Sequence, residues 1–320
     1  MATLLACATF PLIWLGGLVT TYDAGMAVPD WPSTYGYNLF LYPWQTWLAG
    51  PWDLLIEHGH RLLASLVGLI AIATVIVTWR CESRSWVKVV ALGVLALVIF
   101  QGVLGGMRVL MADRQMAQVH GIVGPVFFAY SVFFAATTSL WWQDVHKTPL
   151  DIPNHITSTA WFAAGLALFQ LICGSQVRHV TGMTSHAVFD LAIQIHIVVA
   201  VILLGVAPFL SLAILSNHEA RRLLGTPGAA LGALVVIQIL LGITTWFAKY
   251  GVPAALSTLL PRSTTTLQAE SMMASVLATA HVANGALVLA TSTLVAIRSS
   301  RYAAVDRAKK NNSLLTGVAV

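Results

Sequence analysis

The feature that most limits what this chain can become is a set of eight long apolar runs spread over 320 residues, with almost no charge inside them. Each run can cross a hydrocarbon layer of about 30 Å, which takes roughly 20 residues of helix. In lipid every backbone N–H and C=O must be paired within the protein, so such runs form helices or a closed barrel. The strict two-residue alternation of barrel strands is missing, which leaves helices. The spans are read near 2–22, 54–79, 87–110, 116–141, 158–178, 190–215, 226–248 and 272–297. Composition agrees, since 9% of residues are charged against roughly a quarter in soluble domains. The first run has no basic leading stretch and continues into a patterned loop, so it is read as a span and not as a cleaved signal.

Basic residues set the orientation. With the N-terminus inside, the inner side collects Arg80, Arg84, Lys88, Lys147, Arg221, Arg222, Arg298, Arg301, Arg307, Lys309 and Lys310. The outer side collects Arg108, Arg114, Arg178, Lys249 and Arg262. Eleven against five places both termini in the cytoplasm. The net charge of +5 therefore reports topology, and no nucleic acid is expected as a partner. The partner implied throughout is the lipid bilayer, with the basic tail against anionic headgroups. Cys7, Cys81 and Cys173 form no CxxC or CxxCH, which argues against an iron–sulfur site and covalent c-type heme.

The chain divides into two four-helix halves, 1–142 and 158–298, with a linker at 143–157 and a basic tail at 299–320. Internal similarity supports a repeat. The third span carries Gln101-Gly102-x-Leu104-Gly105-Gly106, the seventh Gln238-x-x-Leu241-Gly242, and the fifth a looser Gln170-x-x-x-Gly174. Glycine at helical spacing lets helices pack closely; making room for a flat cofactor is the other reading. The loop from Tyr22 to Pro32, followed by Trp44, Trp47 and Trp52, suits interface anchoring. It also suits a lid over an outer-side pocket. The connection at 249–271 is polar and long.

Histidines follow the same division. Spans two, four, six and eight carry His60, His120, His196 and His281, each in the outer half of its helix. An ionisable side chain within a span is costly and marks a functional site by default. Taken alone, a transmembrane histidine is more simply a hydrogen bond to a neighbouring helix. Four at one depth, two per half, point to iron held between imidazoles on facing helices. Zinc fits less well, because structural sites want four N/S ligands and cysteine partners are missing.

The sharpest local motif is Glu57-His58-Gly59-His60-Arg61. At about 100° per residue, Glu57, His60 and Arg61 share a helical face. His58 points the other way and is expected at the interface. Glu57 is either an i, i+4 salt-bridge partner of Arg61 or a catalytic carboxylate one turn above His60. Arg61 and Arg108 are candidate contacts for heme propionates; snorkelling is the simpler reading of Arg108. Span six has Ile193 and Ile197 where span two has Glu57 and Arg61, so the halves are expected to divide labour.

These residues resemble the heme A synthase family, which oxidises heme O to heme A for terminal oxidases. The resemblance covers roughly residues 10 to 298. It rests on Gly16-Gly17-Leu18-Val19, Glu57-x-x-His60-Arg61, Gln101-Gly102-x-Leu104-Gly105-Gly106 and the histidines at 120, 196 and 281. It implies two pseudo-symmetric four-helix bundles. His60 and His120 would ligate the substrate heme O, Glu57 would assist oxidation, and His196 and His281 would ligate heme b. It further implies a bacterial cytoplasmic membrane location with heme sites toward the outer side. Heme O synthase and terminal oxidase subunits would be partners, beside an electron acceptor the residues do not identify. Many members carry a cysteine pair in the first outer loop; this chain has none between Cys7 and Cys81. A non-catalytic bis-histidine electron-transfer cytochrome is the competing reading. It leaves Glu57 and the asymmetry of the halves without a task. A transporter is a further alternative, though broken mid-membrane helices are not evident in the sequence.

Overall fold

The computed structural model describes residues 1–144, 152–179, 184–251 and 271–316, with side chains through 305. The centre of the expected linker, most of the polar connection at 249–271 and the end of the basic tail lie outside the described residues.

Eight long helices carry the chain: α1 (Ala2–Thr21), α2 (Trp52–Cys81), α3 (Ser85–Leu110), α4 (Arg114–Thr137), α5 (Asn154–Arg178), α6 (His186–Ser216), α7 (His218–Tyr250) and α8 (Met272–Thr316). All eight contain a stretch long and apolar enough to cross a membrane, which makes this an all-α integral membrane protein. Most of these helices start earlier than hydropathy alone suggests, because polar caps lie outside the apolar windows. Asp113, Ser185 and Asn217 accept hydrogen bonds from the first-turn N–H groups of α4, α6 and α7. Helix α4 ends at Thr137 rather than near 141, and a separate short helix, Leu140–Asp144, follows. Helix α8 runs on as helix through most of the stretch expected to be a tail. That segment has no proline or glycine before residue 317 to stop it.

Helices α1, α2, α3 and α4 contact one another in a closed ring, and α5, α6, α7 and α8 close a second. The seam between the rings is made by α8 against α1 and α4, with α4 also touching α5. Apolar side chains fill the half of each ring away from the 22–51 loop. Leu5, Val67, Val87, Val94, Phe127 and Phe134 form one cluster. Ile156, Leu210, Ile214, Leu224, Leu231 and Val295 form the other, which reaches across the seam to Phe128. The histidines, glutamines and facing glycines occupy the opposite half, so a dry, tightly packed base holds the polar site above it.

Candidate functional site

One local arrangement positions all four histidines. On the helix before each, a glycine faces the imidazole. A Cβ added at Gly16, Gly105, Gly174 or Gly242 would stand 2.9, 3.1, 3.0 or 3.1 Å from Cε1 of His60, His120, His196 or His281, respectively. Any side chain there would push the ring aside. One turn earlier, three of these helices carry glutamine. Gln101 Nε2 donates to the His120 carbonyl at 2.8 Å, and Gln170 Nε2 to the His196 carbonyl at 2.9 Å. Gln238 Nε2 lies 3.4 Å from His281 Nε2, while its Oε1 accepts from Asn284 Nδ2 at 2.7 Å. Helix α1 has Leu12 at the matching place. The repeated Gln-x-x-x-Gly, for which the sequence left close packing and room for a flat cofactor both open, thus lies against three of the four imidazoles, those of His120, His196 and His281. Gly16, in a helix without the glutamine, carried no such signal.

The rings meet in two pairs. His60 and His120 have centroids 6.4 Å apart with planes at 80°. His196 and His281 are 6.2 Å apart at 74°. The Nδ1 of His120 lies 3.2 Å from the Gln101 carbonyl. A carbonyl only accepts, so neutral His120 carries its proton on Nδ1 and keeps its lone pair on Nε2. Among the described residues, Nδ1 of His60, His196 and His281 is buried and makes no hydrogen bond of ordinary geometry. Among the described residues no three His, Cys, Asp or Glu side chains gather as a metal cage.

Glu57 is 1% exposed and sits one turn above His60. Arg61 Nε donates to its Oε1 at 3.0 Å, and Arg108 Nη2 donates to its Oε2 at 3.2 Å. The first contact is the i, i+4 pair visible in sequence; the second comes from α3 and is tertiary. Arg108 therefore turns inward rather than snorkelling, and its guanidinium lies against Gly25 of the 22–51 loop.

Arg61 also holds that loop down. Its Nη1 donates to the carbonyls of Asp30 and Ser33 at 2.7 and 3.0 Å, and its Nη2 to that of Val28 at 2.8 Å. Burial alone would raise the Asp30 carboxyl. The Ser33 hydroxyl and the N–H groups of Gly36 and Tyr35 outweigh it and hold the group below the ordinary carboxylate value. The Trp31 indole lies directly on Gly106, next to the glycine that faces His120. The loop is accordingly a fitted cover over the histidine-bearing end of the first ring. His58 corrects the sequence reading: it is buried, not at the interface. Its Nδ1 is 3.2 Å from Thr34 Oγ1, and its ring packs on Tyr42 and Trp47. The loop folds back over the helix and covers the face that periodicity assigned to the membrane surface. Arg61→Lys keeps the charge but loses the planar fork. It is expected to cost about 1.5–3 kcal/mol, as for a lost hydrogen bond to a charged group. A lowered melting temperature in detergent, with faster proteolysis within 23–51, checks it.

The two pairs are linked through α1. Gly16 faces His60, while neighbouring Gly17 faces Thr279, two residues before His281. Arg178 Nη2 donates to the Gly17 carbonyl at 2.7 Å and to Thr21 Oγ1 at 2.8 Å, and Thr21 and Thr279 hydroxyls are 3.3 Å apart. Sequence analysis placed Arg178 only as an outer-side charge.

The family model described as COX15-CtaA, cytochrome oxidase assembly protein, matches residues 52–194. That stretch contains Glu57, His60 and His120 and stops two residues before His196. A heme A synthase from Shouchella clausii is 27% identical over 184 residues, 55% of this chain and 57% of that protein. A heme A synthase from Alkalihalophilus pseudofirmus is 24% identical over 253 residues, 73% of this chain and 82% of that protein. A protoheme IX farnesyltransferase from Halobacterium salinarum is 29% identical over 134 residues, 42% of this chain and 28% of that protein. The chain thus spans a little over half the length of the first of these synthases and about a quarter of the farnesyltransferase. Over the matched stretches the chain is thus similar to cytochrome oxidase assembly proteins of the COX15-CtaA family and to heme A synthases.

Proposed function

We propose that this protein is a heme A synthase, oxidising the ring methyl of heme O to a formyl group through hydroxylated intermediates. The observation that carries this reading is Glu57, buried between two arginines and one turn from a histidine that faces another histidine across an open spacing. The helix of His196 has Ile193 and Ile197 where that of His60 has Glu57 and Arg61.

The paired imidazoles fit a heme: ring centres 6.4 and 6.2 Å apart bring two histidines of each pair together in a buried, polar part of its helix ring. Two separate pairs suit porphyrin iron, whose remaining ligands the porphyrin supplies, better than zinc. His60 and His120 would hold the substrate heme O; His196 and His281 would hold a heme b, which supplies one-electron chemistry when bound. Gln101 would keep the His120 lone pair on Nε2, as ligating histidines require of their outer partners.

A methyl group plus one water gives a formyl group, four protons and four electrons, so an electron acceptor outside the chain must take up the electrons. The chain's share is placement and electrostatics. Glu57 is positioned to take a proton lost as the substrate carbon is oxidised, or to stabilise positive charge on the ring. Arg61 and Arg108 fix its orientation. Arg108, with fewer competing contacts than Arg61, is the better placed of the two for a propionate. Trp31 and the 22–51 loop would keep bulk water from the site, and the Gly16–Gly17 step gives a short connection between the two pairs. Protoheme IX farnesyltransferase supplies heme O and a terminal oxidase would receive the product; the likeness to a farnesyltransferase supports the first link. The excess of basic residues supports cytoplasmic termini, with the histidines toward the outer side.

The test is extraction and chromatography of hemes from the purified protein, co-expressed with a heme O source. Heme A or hydroxylated heme O beside heme b is the expected result. Heme b alone, with heme O available, would favour the electron-transfer cytochrome, and no heme at all would sink both readings.

A further inference from the structure

At the end of the bundle away from the histidines, the seam between α4, α5 and α8 holds a cavity of about 650 Å³. Its walls are chiefly apolar and include Val126, Phe133, Leu168, Leu289 and Ile297. A second, polar cavity of about 370 Å³, lined by Glu82, Ser83, Arg84 and Gln143, lies beside it. Trp142 and Arg301 line both, so Arg301 stands where the apolar slot meets the polar one.

The cations at this boundary lie on aromatic faces, and among the described residues no salt bridge is seen to Arg298 or Arg301. The Arg301 guanidinium sits 5.1 Å from the Trp142 ring centre, and that of Arg298 sits 4.8 Å from Trp141. Nε of both is buried without a partner. Glu82, the acid lining the polar cavity, is engaged by Arg84, whose Nη2 and Nε lie 2.6 and 2.9 Å away. That contact pulls the Glu82 carboxyl down to about 2 and leaves it little acceptor capacity for Arg301. Two tryptophan N–H groups are already satisfied, Trp141 by the Tyr302 hydroxyl at 2.6 Å and Trp161 by Ser300 Oγ at 2.8 Å. The rings are therefore fixed, and the two guanidiniums stacked on them give this end of the seam a positive charge that suits an anion.

We infer that this seam binds an anionic phospholipid, with an acyl chain in the apolar cavity and the phosphate on Arg301 and Arg298. Guanidinium forks match phosphate oxygens. Basic pockets between transmembrane helices at the cytoplasmic level are suited to acidic headgroups. A cavity of this size falls in the range of ligand sites, about 300–1,000 Å³. A quinone would leave both guanidiniums unpaired, and the ammonium of a zwitterionic lipid would offset their attraction. The bound lipid would join α4 of the first ring to α5 and α8 of the second.

Native mass spectrometry of the delipidated full-length protein tests this, with phosphatidylglycerol and phosphatidylcholine of identical chains. One equivalent of phosphatidylglycerol should bind at least tenfold more tightly. Arg298→Gln with Arg301→Gln should abolish that preference while heme content stays at the wild-type level. Arg221→Gln with Arg222→Gln, which removes the same charge elsewhere at that end, should preserve it. Leu168→Trp, which fills the slot from a partly exposed position, should weaken phosphatidylglycerol binding without any change in charge. Equal binding of the two lipids overturns the inference, as does a preference surviving in the Arg298/Arg301 variant or lost equally in the Arg221/Arg222 variant. Retention of a quinone in place of phospholipid overturns it too.

Discussion

Glu57→Gln is expected to leave both hemes bound and to lower heme A output by about two to four orders of magnitude, the range for loss of a positioned acid–base group. Glutamine keeps an oxygen for Arg61 or Arg108 and nearly the same volume, so packing survives. What disappears is the charge and the ability to accept a proton. Glu57→Ala is harsher: it leaves two guanidiniums facing a void beneath the 22–51 loop, and part of its effect would be lost stability. The glutamine variant separates these contributions. The measurement is heme A per bound heme in the purified variant, with the absorbance spectrum as the check on ligation. Wild-type output from Glu57→Gln would remove the carboxylate from the chemistry and leave it as a clamp on Arg61 and Arg108.

His281→Ala is expected to remove one heme equivalent from the protein and to leave the other in place. The pair His196–His281 is 6.2 Å across, and His60 and His120 lie in the other ring of helices. Losing His281, a proposed ligand of the second pair, should therefore not empty the first. Gly242→Val should act in the same direction without touching a ligand, because a Cβ there would already stand 3.1 Å from His281 Cε1 and the branched side chain displaces the ring. Heme-to-protein stoichiometry, with extracted heme types identified, decides the matter. Loss of both hemes from either variant would mean that the two pairs are one cooperative site. Loss of neither would show that His281 is a packing residue bonded to Gln238.

The asymmetry between the rings gives these variants opposite signatures. Among the described residues, only the first ring has an acid beside its histidine and a cover clamped by Arg61. Variants there are expected to alter product formation; variants in the second ring are expected to alter redox cofactor content. The Gly16–Gly17 step and Arg178 join the two, so bulk at Gly17 would disturb both through the Thr279 contact.

How much of this was legible in the sequence follows from the range of each interaction. Hydropathy is a sum over neighbours along the chain, so eight spans and the all-helical architecture could be read directly. Helical periodicity is equally local, which is why Glu57, His60 and Arg61 were placed on one face and their i, i+4 ion pair was foreseen. Spacing also put the four histidines at one depth. The tertiary structure decided what crosses between helices. It brought Arg108 from α3 to the second oxygen of Glu57, set Gly16 and Gly105 against imidazoles, and drew four loop-facing contacts onto Arg61 and Arg108. It also buried His58 beneath a loop that periodicity could not know would fold back. Close approach across helices depends on which small residues face which rings once every helix is packed, and no window along a single chain contains that information.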